Sequence, residues 1–283
     1  MKFIKFGCTS CLVLTLAFFA FLTLGVWAAK YLQSEKGENI VSLNIAMPVQ
    51  DLPFSANSVF GGENKYGKLN EREIANAIAK AACDNSVSAI LIYCDSTTQM
   101  SLAQACEIRN ALLSFRECGK KVYAVADYAD KKAYYVFSAA DEIFMDEMGE
   151  IDLSGLAFEG VFFGNAFKKY GISANVVKCG KYKDFGDMFT KSGFSPEAKA
   201  QLTNIAKSLW QNVLNAVCTA RKIDAQKLEN ATQSTPVFGA KEAMEIRLVD
   251  KIADKAKIKK TLFKDDTIDE VPIEKYAKTN DDI

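Results

Sequence analysis

The chain has 283 residues, with 35 Lys plus Arg, 35 Asp plus Glu and no histidine, so its formal net charge is zero. This length suits one large domain or two small ones. The balanced charge argues against nucleic-acid binding, which usually requires a basic face. Without histidine, the chain cannot build a Ser-His-Asp triad, a Cys-His dyad or a histidine-rich zinc site. General acid-base chemistry therefore falls to carboxylates, lysine, tyrosine or cysteine.

An uncharged apolar segment covers residues 7–29. It is longer than the roughly 20 residues that a helix needs to cross a bilayer core. Lys2 and Lys5 precede it, which predicts a cytoplasmic N-terminus over residues 1–6 and an extracytoplasmic location for the bulk of the chain. The alternative is a cleaved signal peptide, with the small-residue sequence VWA as its cleavage site. The length of the apolar segment favours an uncleaved anchor, and hence a single-pass protein of the cell membrane.

A juxtamembrane linker over residues 30–39 leads to a domain over residues 40–283, which begins with the β-rich run IVSLNIAMPV. Asn70, followed by Glu73 three residues later, predicts a capped helix start. From there strands and helices alternate: NEREIANAIAKAACD, VSAILIYC, MSLAQACEIRNALLSFRECG, KVYAVA, DKKAYYVFSAA and DEIFMD. Short connections between such elements predict a parallel sheet covered by helices, with right-handed crossovers.

The second part of the domain continues with a helix in GVFFGNAFKKYG and a strand in SANVVKC. A long helix follows, with Ser195 as its N-cap and Pro196 at its first position. The segment TPVFGAKEAMEIRLVDKI predicts a short helix and a closing turn. Six cysteines are scattered singly through the domain. Most have apolar neighbours, so we expect free, buried thiols.

Two lysines, Lys181 and Lys183, follow the predicted strand SANVVKC in the segment CGKYKDFGD. Residues at a strand end of an open α/β sheet are well placed to line a cleft. A lysine that acts as a base must be neutral, which requires burial or a neighbouring cation to lower its pKa from about 10.4. An extended backbone would put both lysines on one face and Tyr182 on the other. The spacing alone favours two exposed loop lysines over a catalytic base.

Five motifs in this order and spacing resemble the signal peptide peptidase A family, also called protease IV. They are SAADEIFMDEMGEIDLSG, GKYKDFGDMF, FSPEAKAQ, LWQNVLN and AKEAMEIRLVD. The resemblance is greatest to the N-terminal half of the long, two-half members. It implies a membrane-anchored serine protease with a Ser-Lys dyad on a crotonase/ClpP-like α/β fold. The implied substrates are signal peptides left in the membrane after cleavage, and no metal or cofactor is implied.

The resemblance also assigns the general base. In that family the catalytic lysine is the last residue of a Gly-x-Tyr-Lys sequence, which here begins at Gly180 and ends at Lys183. Lys181 occupies the variable position of the motif. Lys183 is therefore the predicted catalytic residue, and Lys181 has no predicted role.

The serine nucleophile of the family has no counterpart at the matching position. Lys131 takes the place of the serine, and Lys132 with Ala133 replace the glycines that follow it. The glycine-rich oxyanion segment is also absent, and YCDSTTQMS stands there instead; loss of one oxyanion donor costs about 10²–10³ in rate. We expect the serine to come from a second half or a partner chain. The expected partners are a peptide or signal-peptide substrate, further subunits of an oligomer and the membrane.

Two other interpretations stay open. The chain could be a catalytically silent homologue that acts as a scaffold or binding subunit. It could also be a different hydrolase that uses Ser96 or Asp95, which follow a strand end. Among the other serines, Ser138 is expected to be packed inside a helix, and Ser154, which precedes a glycine, is expected to form a turn.

Overall fold

The computed structural model describes residues 39–49, 69–253, 257–258 and 269–278. The predicted cytoplasmic N-terminus 1–6, the predicted anchor 7–29 and all but the last residue of the predicted linker 30–39 lie outside these ranges. Within the described ranges, no helix has both the length and the apolar character that a bilayer crossing requires.

A seven-stranded sheet forms the centre of the described domain. Its strands are β1 (Asn39–Asn44), β2 (Val87–Cys94), β3 (Lys121–Ala129), β4 (Glu142–Asp152), β5 (Val237–Gly239), β6 (Lys251–Ile252) and β7 (Asp269–Pro272). Neighbouring strands follow the order β5-β4-β3-β2-β1-β7, and β6 also pairs with β4. Every pair is parallel except β4 with β5. The predicted α/β domain with a parallel sheet is therefore confirmed, with one short antiparallel strand at its edge.

Helices connect the strands and cover the sheet. They are α1 (Glu71–Cys83), α2 (Leu102–Glu117), α3 (Lys131–Phe137), α4 (Gly164–Lys169), α5 (Asp187–Thr190), α6 (Pro196–Arg221), α7 (Ala225–Ser234), α8 (Ala240–Glu245) and α9 (Ile273–Lys278). The predicted cap of α1 is confirmed, because Asn70 Oδ1 accepts a 2.9 Å hydrogen bond from the N–H of Glu73 and the Glu73 carboxylate accepts one from the N–H of Asn70. Ser195 caps α6 with Pro196 at its first position, as predicted.

The core follows the two-residue period of the strands. One face of the sheet carries a large cluster that helices α1, α2 and α3 cover; its strand members include Val41, Leu43, Ile90, Ile92, Ala124, Ala126, Ile143 and Met145. The alternate strand residues Ile40, Leu91, Val125 and Phe144 form a smaller cluster on the opposite face, together with Ile258. Because both faces are apolar, the strands have the continuous apolar sequences typical of a parallel sheet.

The predicted strand SANVVKC is wrong. Residues 172–179 have no regular secondary structure, and Val177 is fully exposed. A β-branched run forms a strand only where a neighbouring strand completes its hydrogen bonds and covers its side chains, and none lies beside this segment in the described chain. Lys181 and Lys183 therefore do not follow a strand of the sheet. Lys181 and Tyr182 form a turn rather than the extended backbone expected from the sequence.

The last strand, β7, was not predicted from the sequence; it pairs with β1 across more than 200 intervening residues of chain. The helix that follows it, α9, is attached to the domain through buried Ile273 and Tyr276. The Tyr276 hydroxyl donates a 2.8 Å hydrogen bond to Asp84 Oδ2. The short charged sequence DEVP does not by itself predict a strand, because formation of this strand depends on a partner that is distant in the chain.

The prediction of free, buried cysteines is confirmed only in part. The six that the structure describes are all free, as predicted. Only Cys94 and Cys218 are buried, whereas Cys83, Cys118 and Cys179 are exposed. Cys83 ends α1 and Cys118 caps the end of α2, where both thiols face solvent.

Candidate functional site

A buried carboxylate organises the edge of the sheet where β2 and β3 end. Asp130 is only 4% exposed and caps α3. Its Oδ1 accepts hydrogen bonds from the N–H groups of Lys132 and Ala133, at 3.0 and 2.8 Å. Its Oδ2 accepts hydrogen bonds from the N–H and the hydroxyl of Thr98, at 3.0 and 2.8 Å. Asp130 thus joins the start of α3 to the loop after β2.

Lys132 makes a second connection between the same two segments. Its ammonium donates hydrogen bonds to the carbonyl oxygens of Thr98 and Met100, at 3.1 and 2.7 Å. The N-terminus of a helix is a natural site for an anion, because its first N–H groups point outward. Here the chain's own Asp130 already occupies two of those donors. The start of α3 is therefore not arranged to stabilise an oxyanion.

Lys131, at the position where the family resemblance expects a serine, contacts a different serine. Its ammonium donates a 3.2 Å hydrogen bond to the hydroxyl of Ser154. Ser154 is exposed, and its N–H donates to Asp152 Oδ1 at 2.8 Å, so it forms the turn that its sequence predicted. The pair links α3 to the end of β4.

The alternative nucleophiles lack a base. Ser96 is exposed, and its hydroxyl donates only to the neighbouring Asp95, at 3.3 Å. Burial raises the pKa of the Cys94 thiol to about 12, so this cysteine carries no thiolate at neutral pH. Ser138 is buried as predicted, where it donates to the carbonyl of Tyr135 and accepts from Arg109 Nε. In the described ranges, none of these three hydroxyl or thiol groups contacts a lysine.

The predicted base lies on a separate segment, residues 154–194, which we call the arm. Only Asp187 is buried within it. The arm packs largely on itself: the rings of Phe163, Phe167 and Phe189 stack with centroids 6.0–6.4 Å apart and join α4 to α5. Gly164 allows this close approach, because a Cβ there would lie 2.5 Å from the carbonyl oxygen of Lys191.

An ion-pair network holds the end of the arm. The buried Asp187 carboxylate lies 2.6 Å from Lys178 Nζ and 2.8 Å from Lys191 Nζ. The hydrogen bond from Lys178, followed by that from Lys191, holds the pKa of Asp187 below its usual value. Both lysines therefore have a structural partner.

Lys183 itself has no such partner. The N–H of Lys183 donates to the carbonyl of Gly180 at 3.3 Å, and Gly180 has a φ of +95° that favours glycine. The side chain is exposed, and its ammonium makes no hydrogen bond or ion pair with the described part of the chain. Lys181 is exposed and equally without a partner there. The structure thus brings no hydroxyl to Lys183 among the described residues, and the expected serine is not one of them.

Sequence reasoning missed the buried contact between Asp130 and Thr98. The sequence DKKAYY indicated only the Asp130 side of this contact, because an aspartate directly before a helix is a frequent N-cap. Nothing local in the sequence marked Thr98, which lies 32 residues away from Asp130. Its role depends on the parallel pairing of β2 with β3, which brings the two strand ends together.

Comparisons with known proteins agree on one family. The family model described as peptidase family S49 matches residues 114–269. "Protease 4" of Salmonella typhi is 31% identical over 87% of this chain and 43% of that protein. "Serine protease SPPA, chloroplastic" of Arabidopsis thaliana is 26% identical over 74% of this chain and 32% of that protein. The chain therefore spans less than half the length of these relatives.

Similar solved structures are more distant. A mutant of the "1510-N membrane-bound stomatin-specific protease" has a TM-score of 0.46 and 13% identity, over 80% of this chain and 84% of that one. An enoyl-CoA hydratase/isomerase family protein from Silicibacter pomeroyi has a TM-score of 0.44 and 13% identity, over 80% and 77% of the two chains.

Proposed function

The chain belongs to peptidase family S49, and from this premise we propose that it is the lysine-donating half of a membrane-anchored serine peptidase of the signal peptide peptidase A type. One observation carries the proposal. Lys183, the last residue of the family's Gly-x-Tyr-Lys sequence, is exposed on the arm and has no partner among the described residues, whereas the start of α3 carries Lys131 in place of the serine. The proposal includes the crotonase/ClpP-like arrangement of the fold, the N-terminal anchor and assembly into an oligomer.

In the proposed reaction, a second half or partner chain brings a serine to Lys183. The serine oxygen attacks the scissile carbonyl carbon, and the neutral amine of Lys183 accepts the serine proton. The ammonium of Lys183 then protonates the leaving amine as the C–N bond breaks, which leaves an acyl-enzyme. Water attacks the ester, Lys183 accepts its proton and returns it to the serine oxygen. The products are two shorter peptides and the regenerated pair.

The surface of the arm supports a docked partner. Ten large apolar side chains on the arm are exposed, including Val177 at 100%, Phe185 at 83%, Tyr170 at 72% and Tyr182 at 62%. A soluble surface rarely exposes so many apolar groups together unless they form an interface. Phe185 and Tyr182 flank Lys183, so a chain that covers them would also remove water from around the lysine. Desolvation of this kind is what a lysine base requires.

The second candidate function is a silent scaffold or binding subunit. The hydrogen bonds of Asp130 and Lys132 favour it, because they occupy the edge of the sheet where the family resemblance expects a nucleophile and its oxyanion donors. The two functions differ in the result expected when this chain is combined with a serine-bearing second half or partner chain, which we call the reconstituted pair. Hydrolysis by the reconstituted pair depends on Lys183 in the first function and is independent of Lys183 in the second.

The chain alone is expected to be inert toward a serine-directed fluorophosphonate probe. No serine in the described ranges contacts Lys183, the Ser154 hydroxyl binds only the ammonium of Lys131, and the donors at the start of α3 are occupied. The measurement is intact-mass analysis of the full chain, purified in detergent, after exposure to the probe. Stoichiometric labelling of any serine would contradict the proposal, and labelling of Ser96 would favour a separate hydrolase.

The full chain is expected to stay in the membrane with the arm and the sheet outside the cytoplasm. The reason is the uncharged segment 7–29 after Lys2 and Lys5. Protease added to spheroplasts should digest the domain, while a cytoplasmic marker protein stays intact. Recovery of a soluble form that begins near Ala29 would instead identify the segment as a cleaved signal peptide.

A further inference from the structure

The loop that carries Lys183 has little backbone support of its own. It covers residues 179–186 and contains neither helix nor strand. In the described ranges, no backbone hydrogen bond joins this loop to residues 172–178, which precede it. The place of the loop relative to the rest of the arm therefore depends on contacts made by side chains.

A salt bridge closes the base of this loop. Lys178 directly precedes the loop and Asp187 directly follows it, and Lys178 Nζ lies 2.6 Å from Asp187 Oδ1. The Asp187 side chain is only 4% exposed, so solvent and salt screen this contact less than they screen a surface ion pair. The salt bridge therefore fixes the distance between the two ends of the loop.

A close packing contact lies beside the salt bridge. Gly186, the last residue of the loop, faces Val176, and a Cβ at Gly186 would lie 2.2 Å from Val176 Cγ1. The φ of Gly186 is −74°, which any residue adopts, so this position requires glycine for space and not for backbone freedom. The two sides of the loop therefore meet directly at its base.

Asp187 binds two lysines, but only one of these contacts crosses the loop. Lys191 Nζ lies 2.8 Å from Asp187 Oδ2, and Lys191 follows Asp187 by one helical turn, on the same side of the loop. Lys178 binds the other carboxylate oxygen from the opposite side. The two lysines carry the same charge and share one carboxylate, so they differ chiefly in whether their contact closes the loop.

We infer that Asp187 is a positioning residue that acts through Lys178: their salt bridge fixes the loop and so holds the amine of Lys183 where the incoming serine meets it. The inference rests on the proposed function of Lys183 and adds two residues that do not touch the reacting atoms. Proton transfer requires the base to lie within hydrogen-bond reach of the hydroxyl. A misplacement of about 1 Å can cost about 10²-fold in rate. An exposed lysine on an open loop would occupy many positions, few of them productive.

The test compares Lys178→Met with Lys191→Met in the reconstituted pair. Each change removes one lysine from Asp187 and leaves the other, so the two variants are matched in charge. We expect Lys178→Met to lower kcat for a chromogenic peptide ester by about 10- to 100-fold, and Lys191→Met to change kcat by less than about twofold. KM should stay unchanged in both, because neither lysine binds the substrate. Equal values of kcat for the two variants would overturn the inference.

A conservative variant separates positioning from damage to the fold. Lys178→Arg should keep kcat within about threefold of the unaltered pair, because a guanidinium also pairs with a carboxylate, whereas Lys183→Arg is expected to be inactive. The thermal midpoint, followed by circular dichroism, should be similar for Lys178→Met and Lys191→Met. A large fall in the midpoint of Lys178→Met alone would explain its loss of activity by structural damage and overturn the inference.

Limited proteolysis of the full chain in detergent reports on the loop without catalysis. Chymotrypsin cleaves after aromatic residues, and Tyr182 and Phe185 of the loop are exposed. Cleavage at these two residues should be severalfold faster in Lys178→Met than in Lys191→Met, because an open loop fits a protease site more readily. Cleavage at Tyr170, which is exposed outside the loop, should be equal in both variants. Equal cleavage of the loop in both variants would contradict its closure by Lys178.

These results distinguish failure of the inference from failure of the proposed function. If hydrolysis by the reconstituted pair depends on Lys183 but Lys178→Met keeps full kcat, only the positioning role of Asp187 fails. If hydrolysis is independent of Lys183 while Lys178→Met opens the loop to chymotrypsin, the proposed function fails, and the salt bridge keeps only its part in closing the loop.

Discussion

Replacing Lys183 with methionine is expected to lower peptide hydrolysis by the reconstituted pair by about 10²–10⁴-fold, the usual contribution of a general base. Methionine keeps the length and apolar stem of lysine but cannot accept a proton. The rate is measured with a chromogenic peptide ester, in the presence of a serine-bearing second half or partner chain, because the chain alone is expected to be inert. Lys183→Arg should be inactive as well, since a guanidinium does not lose its proton near neutral pH.

The same change should not weaken the fold. Lys183 is exposed, and its ammonium contacts no described residue, so surface substitutions of this kind alter stability by less than about 0.5 kcal/mol. The thermal midpoint of Lys183→Met should therefore equal or slightly exceed that of the unaltered chain. A loss of activity accompanied by a large fall in the midpoint would point to damaged structure rather than to a missing base.

Lys181→Met is the matched control, because Lys181 is also exposed, carries the same charge and lies in the same segment. It should keep full activity. Loss of activity with Lys181→Met but not with Lys183→Met would move the base by two residues. Full activity with both changes would leave the two lysines as ordinary surface charges and favour the scaffold function.

Elements stabilised by local contacts could be predicted from the sequence. The cap of α1 by Asn70 and the start of α6 at Pro196 depend on residues within one helical turn. The apolar runs of β2 and β3 are long enough to identify buried strands. Elements whose stability depends on distant contacts could not be predicted: β7 requires β1, and residues 172–179 have strand-like residues but no neighbouring strand among the described residues.

The same distinction between local and distant contacts applies to the candidate site. Lys183 was predicted from a sequence motif. Nothing in the local sequence indicated that Asp130 and Lys132 would both bind the loop after β2, because those contacts span 32 to 34 residues.

Replacing Asp130 with alanine is expected to reduce the free energy of unfolding by about 3 kcal/mol. Loss of a helix N-cap costs about 1 kcal/mol. Loss of the carboxylate also leaves the hydroxyl and N–H of buried Thr98 without their acceptor, which adds about 1–3 kcal/mol. Urea unfolding of the full chain in detergent, followed by circular dichroism, measures the total. Faster hydrogen exchange at the N–H of Thr98 should accompany it.

Asp224→Ala provides the control for this effect, because Asp224 also caps a helix but is exposed and accepts only from the N–H of Lys227. Its cost should stay near 1 kcal/mol, roughly the value for a cap alone. The cost of Asp130→Asn in free energy of unfolding should lie between those of Asp130→Ala and Asp224→Ala. The asparagine amide keeps one acceptor oxygen but turns an NH₂ donor toward N–H or hydroxyl donors. Equal costs for Asp130→Ala and Asp224→Ala would mean that the contact with Thr98 adds nothing. The loop after β2 would then be held by Lys132 alone, and the edge of the sheet would be free to rearrange around a ligand.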